Sequence, residues 1–336
     1  MIKNRNPIYD IMKGICILSV ILVHIPKEIN LINIPITFHI VGFFFVHGLI
    51  LNKQNIVKNS EKIRLSIKKM IKVYFKLSLC VIIFNSLIVI ATNSSIDILK
   101  KEIIDIVLLS GTGTLWFIPC YFLGELLFYI ETKYCNKGNI KYYHYIPSLL
   151  LFLFILIYIK NNCSNQYILL MIALIGKAIV SNIFFVFGYY FAYIEDIYKE
   201  KISSIFGFLL SIIILVFLKV IPISVGDLHN FEISYYYIIG SILGIIFLYN
   251  TSLFISRIKT ISTFFEWLGK NSIIIMVTHF DFKILSISIF VTNILSKYAF
   301  NSNIYLKFTF VLIITLVIEW FTVSAINNTK LKKIFN

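Results

Sequence analysis

Long apolar runs separated by short polar intervals recur along the whole chain. A helix needs about 20 mainly apolar residues to cross a bilayer. By that measure the pattern predicts ten membrane-spanning helices, at residues 8–26, 35–52, 73–91, 114–131, 146–160, 178–194, 202–219, 233–250, 268–290 and 304–325. The polar intervals are too short to fold alone, so the sequence predicts one all-α membrane-embedded domain over residues 1–336.

Two segments have a pattern of their own. Residues 167–180 contain Gly176 and Lys177 and are predicted to form a re-entrant or surface piece that leads into the sixth span. Residues 53–72 form the most polar stretch, in which apolar positions recur at helical spacing between cations. That pattern is typical of a basic helix on the cytoplasmic membrane surface.

The charge distribution gives the predicted bundle an orientation. With the N-terminus inside, 21 of the 31 Lys and Arg residues fall in cytoplasmic segments. The positive-inside rule therefore predicts that both termini are cytoplasmic and that the number of spans is even. A net charge of +15 placed in this way indicates a lipid bilayer as the partner and argues against nucleic acid.

The first span carries ionisable groups that are costly in lipid. Asp10 and Lys13 are three residues apart, so they can pair on one helix face. Lys13 and His24 are eleven residues apart, which places them on one face about 16 Å apart along the axis. A helix-end ion pair and an interfacial histidine are the structural interpretation. The functional interpretation is a site with a cation at one end and an imidazole at the other.

Three other spans carry polar side chains that have the same two interpretations. The second span holds His39 and His47, the fourth begins near Trp116 and contains Glu125, and the ninth contains His279. A buried His or Glu can simply bond to a neighbouring helix, and Trp116 can belong to the aromatic belt at the membrane boundary. The five cysteines are scattered and form no metal-ligand motif, so no metal is expected.

Four sequence blocks, in their order and spacing, resemble the acyltransferase-3 family, the integral membrane acyltransferases that modify bacterial surface glycans. They are YDIMKGICILSVILVH (9–24), FHIVGFFFVHGLIL (38–51), LWFIPCYFLGELL (115–127) and WLGKNSIIIMVTH (267–279). The family's first-span signature is a basic residue, ten residues and a histidine, which fall here on Lys13 and His24. The family usually has Arg at the first of these positions, and Lys lacks the bidentate fork of Arg.

The resemblance implies an O-acyltransferase of the bacterial cytoplasmic membrane. It would move an acyl group, usually acetyl, from cytoplasmic acyl-CoA to a hydroxyl of a surface polysaccharide or lipid-linked glycan. The family's paired cations before the third span fall on Lys69 and Lys72, which together with Arg64 would bind the CoA phosphates.

The same resemblance suggests roles for the polar residues inside the spans. His24 would act either as general base or as acyl carrier, with Lys13 steadying the donor and Asp10 orienting Lys13. Supporting or acceptor roles fall to His39, His47, Trp116, Glu125 and His279.

Two other functions remain compatible with the sequence. One is a non-enzymatic component of exopolysaccharide export, which does not need Lys13 and His24 on one helix face. The other is a proton-coupled transporter, since His and Glu inside a membrane also serve proton relays.

Overall fold

The computed structural model describes residues 6–26, 28–29, 38–53, 60–138, 146–201, 204–220, 226–229, 231–233, 235–299 and 303–335. These residues form α1 (Pro7–His24), α2 (Phe38–Lys53), α3 (Ser60–Thr92), α4 (Asp97–Val107), α5 (Phe117–Gly138), α6 (Ile146–Asn162), α7 (Gln166–Lys201), α8 (Ser204–Val220), α9 (Tyr235–Ile255), α10 (Lys259–Lys270), α11 (Ser272–Phe280), α12 (Ile284–Ala299) and α13 (Ile304–Asn327). A 3₁₀ turn (Lys330–Lys333) follows α13. Two short antiparallel strands, β1 (Gly226–Asp227) and β2 (Glu232–Ile233), pair between α8 and α9. The all-α prediction is confirmed.

The helices are those of a multi-pass membrane protein. Five described helices are long and apolar enough to cross a bilayer: Pro7–His24, Glu61–Thr92, Gln166–Lys201, Tyr236–Ile255 and Ile304–Asn327. The bent pair Ser272–Phe280 and Ile284–Ser296 makes a sixth if it is one span, and three shorter apolar helices lie at Phe38–Lys53, Leu149–Asn162 and Ile205–Phe217. Ten spans and two cytoplasmic termini stay predictions, and residues 1–5 and 35–37 lie outside the described residues.

The prediction of a separate piece at residues 167–180 is wrong. Those residues belong to the continuous 36-residue helix α7. Gly176 does not break the helix but leaves room for the ring of Phe231, which would lie 2.0 Å from an added Cβ. Lys177 is buried, with its ammonium group 5.1 Å from the centre of the Trp116 ring. A cation–π contact and close packing therefore explain the two residues that suggested an interruption.

The predicted surface helix at 53–72 is not a separate element within the described residues. From Ser60 onward it is continuous with the third span, as the 33-residue helix α3. Its apolar positions Ile63 and Ile67 are buried in the protein rather than in lipid, and Ser66 on the same face bonds to Glu125 of α5. Helical spacing of apolar residues is expected both for a helix that buries one face in the protein and for a helix that buries it in lipid. The periodicity alone therefore did not distinguish the two.

The predicted ninth span at 268–290 is divided. α10 ends at Lys270, α11 covers only Ser272–Phe280, and α12 starts at Ile284 after a bend of 57°. The bend contains Lys283 with a left-handed φ of 62°. Polar residues at both ends of α11 form hydrogen bonds that stabilise these two breaks. Their partners belong to the site described below.

Glycines let the helices around α1 and α2 approach closely. An added Cβ on Gly14 of α1 would lie 2.0 Å from the Phe265 carbonyl oxygen of α10, and one on Gly269 would lie 1.8 Å from that of Asp10. Gly48 of α2 and Gly188 of α7 make the same kind of reciprocal backbone contact. Small residues at helix crossings are the usual means of close packing in membranes. These contacts fix α10 directly against the start of α1.

A buried carboxylate ties four helix ends together. Glu195 of α7 accepts hydrogen bonds from the hydroxyls of Tyr9 (2.7 Å) and Tyr249 (3.0 Å), and lies 2.9 Å from the Lys199 ammonium and 3.4 Å from that of Lys53. The start of α1 and the ends of α2, α7 and α9 therefore lie at one end of the bundle. Lys13 lies near this same end, one turn or so along α1.

Candidate active site

A cavity of about 630 Å³ lies between α1, α2, α3, α5, the α10–α11 junction and the segment after α13. Its size is in the range of small-molecule and cofactor sites. Aromatic and aliphatic side chains form much of its wall, including Phe43, Met70, Phe117, Tyr121 and Met276. A long ligand with one charged end and one apolar arm would suit this lining.

Three lysines line the cavity from different parts of the chain: Lys13, Lys270 and Lys332. Lys13 is 2.8 Å from the carboxylate of the buried Asp10, and Lys270 is 2.8 Å from Glu266. The predicted Asp10–Lys13 pairing is present in the structure. Ser272, the first residue of α11, also lines the cavity, so the positive end of that helix dipole adds to the lysines. This part of the cavity is suited to phosphate groups.

His24 and His279 face each other beyond the apolar wall of the cavity. The Nδ1 atom of His24 is 3.2 Å from the Nε2 atom of His279, and the ring centres are 5.1 Å apart. His279 is fully buried, whereas His24 at the end of α1 is only half-buried. Met276 lines the cavity and precedes His279 by three residues on α11, which is about 4.5 Å along the helix.

The hydrogen-bond partners assign the tautomers of the two histidines. Nδ1 of His24 lies 2.8 Å from the Val20 carbonyl oxygen, and Nδ1 of His279 lies 2.8 Å from that of Ile275. A carbonyl oxygen only accepts, so each Nδ1 carries a hydrogen and each neutral ring has its lone pair on Nε2. His279 therefore accepts from His24, and the basic nitrogen of His24 is Nε2. A base held by a third group is a recurring catalytic arrangement.

Two buried carboxylates hold the C-terminal end of α11. Asp281 accepts from the hydroxyl of Thr114 at 2.5 Å and from its backbone N–H at 3.3 Å. The loop that Thr114 belongs to contains Gly113, which has a left-handed φ of 51° and whose added Cβ would meet Asp281. Glu319 of α13 accepts from the hydroxyl of Thr278 at 2.7 Å. These bonds position the helix that carries His279.

A second pair joins α2 and α5 at the cavity wall. His47 lines the cavity, and its Nε2 atom is 3.1 Å from Oε1 of the fully buried Glu125, at an angle outside good hydrogen-bond geometry. The other carboxylate oxygen of Glu125 accepts from Ser66 at 3.1 Å. The structure thus brings together two residues whose association the sequence did not predict.

Several expected site residues lie elsewhere. Arg64, Lys69 and Lys72 are exposed on α3 and are not among the side chains that line the cavity. His39 is half-buried near the start of α2, also outside the lining. Trp116 is buried, and its ring contacts the Lys177 ammonium group. The ring centre of His229 lies 5.3 Å from the ring centre of Trp116. The functional roles of these residues stay predictions.

A family model described as an acyltransferase domain matches residues 6–324, which is nearly the whole chain. The chain belongs to the acyltransferase-3 family. It is therefore a membrane acyltransferase, and it requires an acyl donor and an acceptor. Neither a curated protein nor a solved structure gives a significant match to the chain.

The described residues contain no group of three or more His, Cys, Asp or Glu side chains that could hold a metal ion. Lys270 and Lys332 are cavity residues that sequence reasoning did not select. Lys270 lies in the WLGKNS block, whose break into α10 and α11 was a detectable signal, because asparagine, here Asn271, is common just after the end of a helix. No local signal marks Lys332.

Proposed function

We propose that this acyltransferase moves an acyl group, most simply acetyl, from cytoplasmic acyl-CoA to a hydroxyl of a surface polysaccharide or lipid-linked glycan in the bacterial cytoplasmic membrane. The observation that carries the proposal is the arrangement of the cavity and the histidine pair. The cavity is lined by three lysines and ends about one helical turn from His279. His279 accepts a hydrogen bond from His24. CoA combines phosphates with a long, narrow arm that ends in the reactive thioester.

In the proposed reaction His24 acts as the general base. Its Nε2 atom removes the proton from the acceptor hydroxyl, whose oxygen attacks the thioester carbonyl carbon. The new C–O bond forms, the C–S bond breaks, and the departing CoA sulfur takes the proton from His24. While His24 is protonated, its Nδ1–H continues to donate to Val20 and His279, so the positive charge is stabilised without rearrangement. A trapped acyl-histidine would instead assign His24 as the acyl carrier.

The acyl groups of surface glycan test the proposed function directly. A strain lacking the protein and a complemented strain are compared by NMR and mass spectrometry of purified glycan. We expect O-acyl groups that are lost with the protein and restored with it, and the spectra identify both the acyl group and the sugar. Unchanged acylation with polymer retained inside the cell would contradict the proposal and indicate an export component.

Replacement of His279 tests whether it supports the base. His279→Phe keeps an aromatic ring but removes one of the two acceptors of the His24 Nδ1–H, leaving the Val20 carbonyl oxygen as the other. We expect kcat to fall roughly 10- to 100-fold with little change in KM. His279→Gln retains an acceptor oxygen and is expected to be less impaired. Equal losses in the two variants, or a change confined to KM, would argue against this positioning role. Transfer is measured in membrane vesicles at matched protein levels.

A further inference from the structure

The segment that follows α13 forms one wall of the cavity. Residues 328–335 continue from the end of α13 into the 3₁₀ turn Lys330–Lys333, and Lys332 and Phe335 line the cavity. The family match ends at residue 324, so this wall lies outside the matched region. These residues border the cavity but lie beyond the family domain. The donor site can therefore differ among relatives at this segment.

Several contacts fix this segment in place. Asn327, the last residue of α13, donates from Nδ2 to Oδ1 of Asn271 at 3.0 Å, at the α10–α11 junction. The ammonium group of Lys76 on α3 donates to the Lys333 carbonyl oxygen at 2.7 Å. Ile334 and Phe335 pack against the main hydrophobic core. The segment is thus tied to two elements, α3 and the α10–α11 junction, that also border the cavity.

We propose that residues 328–335 are a specificity-determining wall of the donor site, in which Lys332 contacts a phosphate of acyl-CoA and Phe335 packs against its apolar part. This inference rests on the proposed function. Lys332 is the cation of the segment that reaches the lining, whereas the equally exposed Lys330 does not line the cavity. Lys332 adds its charge to those of Lys13 and Lys270, and a polyanion is the ligand that such a set attracts.

Equilibrium binding of CoA to the purified protein in nanodiscs, measured by isothermal titration calorimetry, tests the wall without an acceptor. Lys332→Ala is expected to raise the Kd for CoA roughly three- to fivefold, as for a partly solvated ion pair. Lys330→Ala is the matched control, because it removes the same charge from the same turn, and it is expected to leave the Kd unchanged. Phe335→Ala is expected to weaken binding of both CoA and pantetheine.

Pantetheine separates a phosphate contact from a general effect on the fold. It lacks every phosphate, so in displacement titrations it is expected to bind Lys332→Ala and wild type equally. Equal Kd values for CoA in Lys332→Ala and Lys330→Ala would contradict the proposed role of residues 328–335 in donor binding, while the proposed function would stand. Tighter CoA binding in Lys332→Ala or Phe335→Ala would also contradict that role, since the segment would then obstruct the site. A wild type that binds no CoA contradicts the donor in the proposed function itself.

Discussion

His24→Ala is expected to lower acyl transfer by about 10²- to 10⁴-fold, the range that a positioned general base contributes. The structure gives the reason in the geometry of one side chain. His24 is the last residue of α1, and its Nδ1–H bonds to Val20 and His279 direct Nε2 away from the helix that carries it. Loss of the imidazole removes the proton acceptor but leaves the cavity lining intact, because His24 is not part of that lining. The expected change is therefore in kcat rather than in KM for the donor.

The measurement is acyl transfer in membrane vesicles, together with the Kd for CoA. Val23→Ala is the matched control, since Val23 is the neighbouring residue on α1 and is exposed on the outer surface of the bundle. It is expected to retain wild-type transfer. Wild-type activity in a correctly inserted His24→Ala protein would exclude the imidazole from the reaction and reopen the exporter interpretation. Loss of CoA binding in the same variant would instead assign His24 to the donor site.

The sequence predicted the elements of α1 and α2 well, because their physical signals are local. Apolar length and ionisable residues at set spacings need only one helix to be interpreted. The shared face of Lys13 and His24 follows from helical geometry alone. The Asp10–Lys13 pair was predictable for the same reason, as the two residues are one turn apart.

Contacts between distant segments were not accessible in this way. His24 and His279 are 255 positions apart, and His47 meets Glu125 across two helices, so no periodicity within one helix relates them. The expectation for α7 was wrong for a related reason: a glycine and a lysine in an apolar run indicate a break unless their partners, Phe231 and Trp116, are known. The sequence likewise did not indicate which cations line the cavity. Arg64, Lys69 and Lys72 are conspicuous in sequence but exposed, while Lys270 and Lys332 reach the cavity through the break before α11 and the turn after α13.

Lys13→Ala is expected to have two large effects, which a second substitution can separate. The first is on stability, because Asp10 is only 1% exposed and would lose the ammonium group 2.8 Å away. Removal of one partner of a buried ion pair costs about 3 kcal/mol or more. The second is on the donor, since Lys13 lines the cavity with Lys270 and Lys332. We expect a lower Tm in detergent and a weaker Kd for CoA.

The double variant Asp10→Asn/Lys13→Ala also removes the buried carboxylate that pairs with Lys13. We expect it to recover most of the lost Tm, because a neutral amide costs far less to bury than a carboxylate. The Kd for CoA should stay about 10-fold or more above that of the wild type, as for a lost hydrogen bond to a charged group. Asp10→Asn alone reports any direct effect of Asp10, and Lys13→Arg should bind CoA because it keeps the charge. Recovery of both Tm and CoA binding in the double variant would show that Lys13 serves only to neutralise Asp10, and the donor would then have to be held by the lysines at the α10–α11 junction and after α13.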